Sequence, residues 1–144
     1  MTDPKGIEID ALDHVHLYVA DLDQAAHWYA RILGLQVMPS SKSQSRYMAT
    51  PKGQYCATIF LGQPPSDGDH TTAFRVPGRT FRDFGDRLTE LQIPGRNAAP
   101  LTRDQAADHG LAWSYYFQDP DGNHLELTTY DHQTTRAWFA KGAP

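Results

Sequence analysis

Histidine and glutamate carry most of the chemistry this sequence can offer, and strand periodicity groups them. His14 and His16 alternate with Val15, Leu17 and Val19, the period-two pattern of a β-strand, so the two imidazoles and Tyr18 share one face and the apolar side chains the other. Near the other end, the same parity sets His124, Glu126 and Thr128 opposite Leu125 and Leu127. Imidazoles and a carboxylate on polar strand faces can hold divalent ions or move protons near neutral pH; their structural alternative is a hydrogen-bonded histidine or a paired glutamate in a polar cup. Arg75 shares parity with Thr71 and Ala73 and is suited either to an anionic substrate group or to a rim charge. His27 and His132 fall in a helix and a tail and read as surface residues. There is no Ser-His-Asp arrangement, phosphate-cradling glycine loop or zinc-type cysteine pair, which sets those enzyme classes aside.

The elements that must position these residues follow from pattern. Residues 12–19 read as a strand. Asp21 and Asp23 then offer caps for a helix of about three turns, with Ala25, Trp28, Tyr29, Ile32 and Leu33 on its apolar face and Gly34 as its left-handed stop. Strand candidates follow at 35–38, 46–49 and 55–61, completing β-α-β-β-β. Residues 62–69, with Pro64, Pro65, Ser66 and Asp67, have linker composition. The second half repeats the plan: a strand at 71–76, a helix bearing Phe81, Phe84, Leu88 and Leu91 that ends at Pro94-Gly95, and strands at 113–118 and 124–129 around an Asp119-Pro120-Asp121-Gly122 turn. Residues 97–109 read as a short strand, a flap or an irregular loop, and the tail 130–144 as a terminal helix. The expectation is a single α+β domain, 1–144, of two βαβββ modules at 12–61 and 70–129. Each module leaves one sheet face uncovered, so the modules must pair within one chain or between two, and a homodimer is expected.

Composition bounds the partners. The formal charge of −4, with basic residues scattered singly, gives no cationic field for nucleic acid. Hydrophobic residues at 40% are ample for a core, and no window resembles a membrane span. Cys56, the lone cysteine, lies in an apolar run and reads as a small buried hydrophobe; with a polar, leaderless start at 1–10, this points to a cytoplasmic protein.

Two segments carry a resemblance. LDHVHLYVADLDQAAHWYARILGL, from Leu12, resembles the opening strand and helix of vicinal-oxygen-chelate modules, and SYYFQDPDGNHLEL, from Ser114, resembles their closing hairpin, with Glu126 four residues after Gly122. The likeness spans about residues 12–127. The sequence is thus similar to the vicinal-oxygen-chelate superfamily of glyoxalases, bleomycin-resistance proteins and extradiol dioxygenases.

In metal-dependent members, this resemblance implies one histidine ligand from the opening strand, one from the first strand of the second module and a glutamate from the closing strand. His14 matches the first and Glu126 the last. Two neutral imidazoles and one carboxylate hold a divalent ion, Fe(II) foremost and Mn(II) or Zn(II) as alternatives, while leaving positions for substrate oxygens. The middle position departs from the pattern. Where relatives commonly read His-x-Ala-Phe, this chain places Thr71 in the histidine slot, with His70 one residue early and turned to the opposite face unless the strand start re-aims it. His16 is the substitute on His14's face, so His70, His16 and Thr71 all stay open for this position.

Tyr116, ten residues before Glu126, matches a tyrosine that points into the site in extradiol dioxygenases and fosfomycin-resistance thiol transferases. His109-Gly110, seven residues before Tyr116, resembles the Asp-His-Gly of some extradiol dioxygenases, where the histidine assists proton transfer. His16, Tyr18, Thr71 and Arg75 are the expected substrate contacts, with Tyr47 and Tyr55 as further aromatics for a planar substrate or for core packing. The leading expectation is a metal-dependent, extradiol-type dioxygenase acting on a catechol-like small molecule. The alternatives are a metal-free binding protein of the bleomycin-resistance kind, which Thr71 favours, or a thiol transferase, lyase or isomerase on the same fold.

Overall fold

The computed structural model describes residues 6–8, 10–64 and 70–142; most of the expected linker at 62–69 lies outside them. The first alternating run forms β1 (Val15–Val19), burying Leu17 and Val19. Helix α1 (Leu22–Leu33) follows, its start capped by the Asp21 carboxylate accepting from the Gln24 N–H and its end by Gly34 at φ 69°. Leu22, Ala25, Trp28, Tyr29 and Ile32 form its buried stripe. Then come β2 (Gln36–Val37), β3 (Ser45–Ala49) and β4 (Tyr55–Leu61), with β1 joining β4 in parallel to give the sheet order β1-β4-β3-β2.

The second half repeats this topology strand for strand. β5 (Thr71–Arg75), β6 (Ala107–Asp108), β7 (Trp113–Gln118) and β8 (His124–Thr129) form a sheet of order β5-β8-β7-β6, with β5 parallel to β8. The fold is therefore α+β, a duplicated βαβββ unit. One cluster of buried apolar residues runs through both halves, from Trp28, Tyr29 and Ile59 to Phe81, Phe117 and Leu125. No helix among the described residues is long and apolar enough to cross a membrane.

Two features, in the second helix and at His132, differ from the sequence expectation, and the stretch left open at 97–109 resolves into a 3-10 turn and a short strand. The second helix is broken at Arg87 into α2 (Gly78–Asp86) and α3 (Leu88–Leu91), and it ends at Gln92 in the left-handed region, φ 53°, before Pro94-Gly95 is reached. That turn delivers Ile93 into the core, where it is 1% exposed. The polar stretch after it holds a 3-10 turn at Arg103–Gln105, closed by a capping box between Thr102 and Gln105, before β6. The tail does form a helix, α4 (His132–Ala140), but His132 is not a surface residue. It stacks on Trp113 and bonds to Asp108 at 2.6 Å, because the first turn of α4 lies across β7. Helices α2 and α4 approach so closely at Gly85 that a Cβ there would sit 2.6 Å from the Tyr115 hydroxyl and 2.7 Å from Trp138.

Candidate functional site

Each sheet packs helices on one face and leaves polar or aromatic side chains on the other. In module one the ladder pairs His16 with Thr58, Tyr18 with Phe60 and Tyr47 with Thr58, so these side chains share the face away from α1. A bulge beside Met48 and Ala49 skips Cys56 and pairs Ala49 with Tyr55, turning Tyr55 onto this same face. Tyr55 stacks on His14 with ring centroids 4.6 Å apart, Tyr47 meets Tyr55 edge-on at 5.8 Å, and Phe60 lies 4.9 Å from His16 and 5.9 Å from Tyr18. The Tyr55 hydroxyl hydrogen-bonds that of Thr58. Cys56 is half-buried with its thiol toward the Met48 carbonyl, and burial pushes its pKa up, which keeps it a thiol.

The two imidazoles on this face are already coupled. His14 Nδ1 lies 2.6 Å from the Asp13 carboxylate, and His14 Nε2 lies 3.1 Å from His16 Nε2. His14 therefore has the Asp13 carboxylate at one ring nitrogen and His16 at the other. A carboxylate fixing the far nitrogen in this way is the arrangement by which metal-ligating histidines are oriented.

Module two presents a different surface. Glu126 stands opposite Tyr116 on β7 and Ala73 on β5, flanked by His124 opposite Gln118 and Thr71, and by Thr128 opposite Ser114 and Arg75. The Ser114 hydroxyl donates to the half-buried Glu126 carboxylate at 2.8 Å and lies 3.1 Å from the Thr128 hydroxyl. The Tyr116 hydroxyl is 2.9 Å from His109 Nε2, so the histidine delivered by the β6 edge and the tyrosine from β7 form a direct hydrogen-bonded pair on the Glu126 face. The Arg96 guanidinium lies over the Tyr116 ring, 4.3 Å from its centroid, and donates to the Thr71 hydroxyl at 2.5 Å. The loop carrying Arg96 is fastened by Gln118, whose amide donates to the carbonyls of Gly95 at 3.0 Å and Arg96 at 2.7 Å.

The β7–β8 turn clasps the modules together. Asp121 accepts from the Ala20 N–H at 2.9 Å, Asn123 donates to the Tyr18 carbonyl at 3.0 Å, and the Tyr29 hydroxyl donates to Asp119 at 2.6 Å. Asp119 is 2% exposed; its burial raises its pKa above the ordinary value even though bonds from Tyr29, Asn123 and two backbone N–H groups pull the other way. Burial and the neighbouring Asp119 charge likewise hold the Tyr29 hydroxyl well above the ordinary tyrosine range. Beside this clasp lies a cleft of about 430 Å³, lined by His16, Tyr18, His70, Thr71, Asn123 and His124 among others.

The expected site residues thus separate into groups. His14, His16 and Tyr18 share the module-one face; Glu126, Tyr116 and His109 share the module-two face, and the exposed Arg75 lies on it by register. His70 is exposed just before β5 and meets His16 only across the cleft. Thr71 occupies the register position expected of the middle ligand, its hydroxyl taken by Arg96. Among the described residues, no three His, Cys, Asp or Glu side chains converge to hold a metal ion within one chain. Two contributors were missed from sequence. Arg96 follows Pro94-Gly95, which signals only a helix stop, and Asp13 precedes β1 as the immediate neighbour of His14, where strand parity gives it no role.

Residues 11–127 match the model of the Glyoxalase/Bleomycin resistance protein/Dioxygenase superfamily. Biphenyl-2,3-diol 1,2-dioxygenase 3 of Rhodococcus globerulus is 28% identical over 122 residues, 81% of this chain and 61% of that protein, so the chain spans about three-fifths of that relative's length. The glutathione transferase FosA of Serratia marcescens is 27% identical over 123 residues, covering 83% of this chain and 80% of that one. Among solved structures, the fosfomycin resistance protein FosX of Listeria monocytogenes, in complex with Mn(II) and sulfate, superposes with a TM-score of 0.66 at 20% identity, over 92% of this chain and 99% of that one, a likeness of fold. With the matched span covering module one and all but the end of β8 in module two, and the two strand orders equivalent, this chain belongs to the Glyoxalase/Bleomycin resistance protein/Dioxygenase superfamily.

Proposed function

We propose that the protein is a metal-dependent cytoplasmic enzyme of the extradiol-dioxygenase type, acting on a catechol-like aromatic diol in a site completed by two copies of the chain. The observation that carries this reading is the His109–Tyr116 pair, 2.9 Å apart, with Tyr116 directly opposite Glu126 in the ladder. A phenol beside a carboxylate, backed by an imidazole, is the set of groups that proton transfer to and from a diol requires.

His14 and His16 of one copy, with Glu126 of a second, would supply two nitrogens and a carboxylate to a divalent ion, Fe(II) foremost. His16 takes the middle place in this reading because its Nε2 already lies 3.1 Å from that of His14, whereas the Thr71 hydroxyl is engaged by Arg96 and His70 is exposed at a strand start. The second copy enters because the contacts of His14 stay within module one and those of Glu126 within module two. When bound, the ion would act as a Lewis acid toward the paired substrate oxygens. The chain's own residues do the rest. Tyr116 holds a substrate oxygen by a hydrogen bond, His109 accepts or returns a proton through the Tyr116 hydroxyl, and Ser114 keeps the Glu126 carboxylate turned. Tyr55, stacked on His14, and Phe60, beside His16 and Tyr18, supply the aromatic surface against which a substrate ring would pack.

The test is metal content by plasma mass spectrometry, with ring cleavage of catechols followed alongside. His14→Ala and Glu126→Ala should each lose the metal. Co-expressing the two variants should restore it in mixed dimers, where one site receives both intact side chains. Metal retained in both variants would sink the assignment, and no restoration would sink the two-copy site. A wild-type protein that takes up no metal on anaerobic reconstitution would instead support a metal-free binding protein, the reading that Thr71 in the histidine position favours.

A further inference from the structure

We infer that Arg96 is a specificity-determining residue that receives a carboxylate on the substrate, so that the favoured aromatic diols carry an acid group; this deepens, and rests on, the function proposed above. Arg96 stands over the ring of Tyr116 and reaches Thr71, which places its charge beside the residues of the proposed site. Among the described residues, one of the five N–H donors of its guanidinium is used, in the bond to Thr71. None of the ion pairs among the described residues involves Arg96, whereas Arg46, Arg82, Arg87 and Arg103 each have a carboxylate partner.

Its placement is built. The carbonyls of Gly95 and Arg96 are both held by the Gln118 amide, the Gly95 N–H bonds to the Ala99 carbonyl at 2.7 Å, and Gly95 bridges to Phe117 in β7. The strand that carries Tyr116 therefore also fixes the backbone of Arg96. A planar guanidinium lying on a phenol ring keeps its edge free, and that edge matches a carboxylate through two parallel hydrogen bonds.

The experiment compares anaerobic binding of 3,4-dihydroxybenzoate and its uncharged methyl ester to the metal-loaded protein by calorimetry, in wild type, Arg96→Gln and Arg96→Lys. The acid should bind about 10- to 100-fold more tightly than the ester in wild type. Arg96→Gln should remove that preference by weakening the acid alone, and Arg96→Lys should keep part of it. Equal binding of acid and ester in wild type, equal weakening of both in Arg96→Gln, or binding of neither would overturn the inference. Methylphosphonate bound more tightly than the acid, and dependent on Arg96, would overturn the carboxylate in favour of a phosphonate. Ring cleavage is scored separately. If no diol is cleaved while the Arg96-dependent preference for the acid persists, the dioxygenase reading fails and this assignment stands.

Discussion

The two modules share a topology strand for strand but expose opposite chemistry on their open faces. Module one offers rings: His14, His16, Tyr18, Tyr47, Tyr55 and Phe60 in mutual contact. Module two offers charge and hydroxyls: Glu126, Ser114 and Thr128 joined by hydrogen bonds, and Tyr116 bonded to His109 beneath the Arg96 guanidinium. Their supports differ as well. Module one rests on a single helix capped at both ends, while module two has a broken helix without side-chain caps, covered by α4. The duplicated backbone is a frame that carries an aromatic cluster on one open face and hydrogen-bonded and charged groups on the other. In the proposed function the first binds and the second transfers protons, which predicts that damage to each will read out differently.

The largest effect is expected on the module-two face. Tyr116→Phe should lower kcat by about 10²- to 10⁴-fold, His109→Gln should do similarly, and the double variant should be little worse than either single one, because the pair acts as a unit. Additive losses would show that the hydrogen bond between them is incidental. On the module-one face, Tyr55→Leu should raise KM by roughly 10-fold with kcat little changed, the mark of a group that binds ground state and transition state alike. A fall in kcat without a change in KM would erase the proposed division of labour between the faces.

Stability variants probe the supports. Tyr29→Phe leaves the buried Asp119 short of a donor and should cost about 1–3 kcal/mol in chemical denaturation. Gly85→Ala forces apart α4, Tyr115 and α2 and should cost about 1–3 kcal/mol by overpacking. An unchanged melting temperature in Gly85→Ala would mean that α4 does not brace module two. The smallest effect is one of pH. Asp119 is held above its ordinary 3.8 by burial, so the folded protein keeps this proton to higher pH than the unfolded chain does. Its contribution favours folding fully below 3.8 and is lost as pH rises through the raised folded-state value. Asp119→Asn should flatten that part of the stability–pH curve; an unaltered slope would show that the clasp does not titrate in this range.

Much of the fold was legible because it rests on local rules. β4, β7 and β8 begin and end where their apolar and aromatic runs meet turn residues, and α1 runs between its Asp21 cap and its Gly34 stop. The grouping of His124 with Glu126, and of His14 with His16, needed only strand parity. Parity alone does not give the facing of Tyr55, which a bulge sets, and the surface reading failed at His132, whose burial depends on where the tail helix docks. Arg96 was illegible for a related reason. It lies in a turn with no periodicity, and its partners Thr71 and Tyr116 stand 25 and 20 positions away in the chain.

The sequence alone determined the duplication, the strand faces and the identity of the groups available for chemistry, because these follow from nearest-neighbour geometry and hydrophobic spacing. Tertiary structure alone decided which of those groups meet. The His14–His16 nitrogens close to 3.1 Å, His109 finds Tyr116, and Arg96 comes to rest over it, whereas His14 and Glu126 make their contacts in separate modules. Side-chain convergence of that kind depends on how sheets pack and how loops are pinned, sums of many distant contacts that no local pattern records.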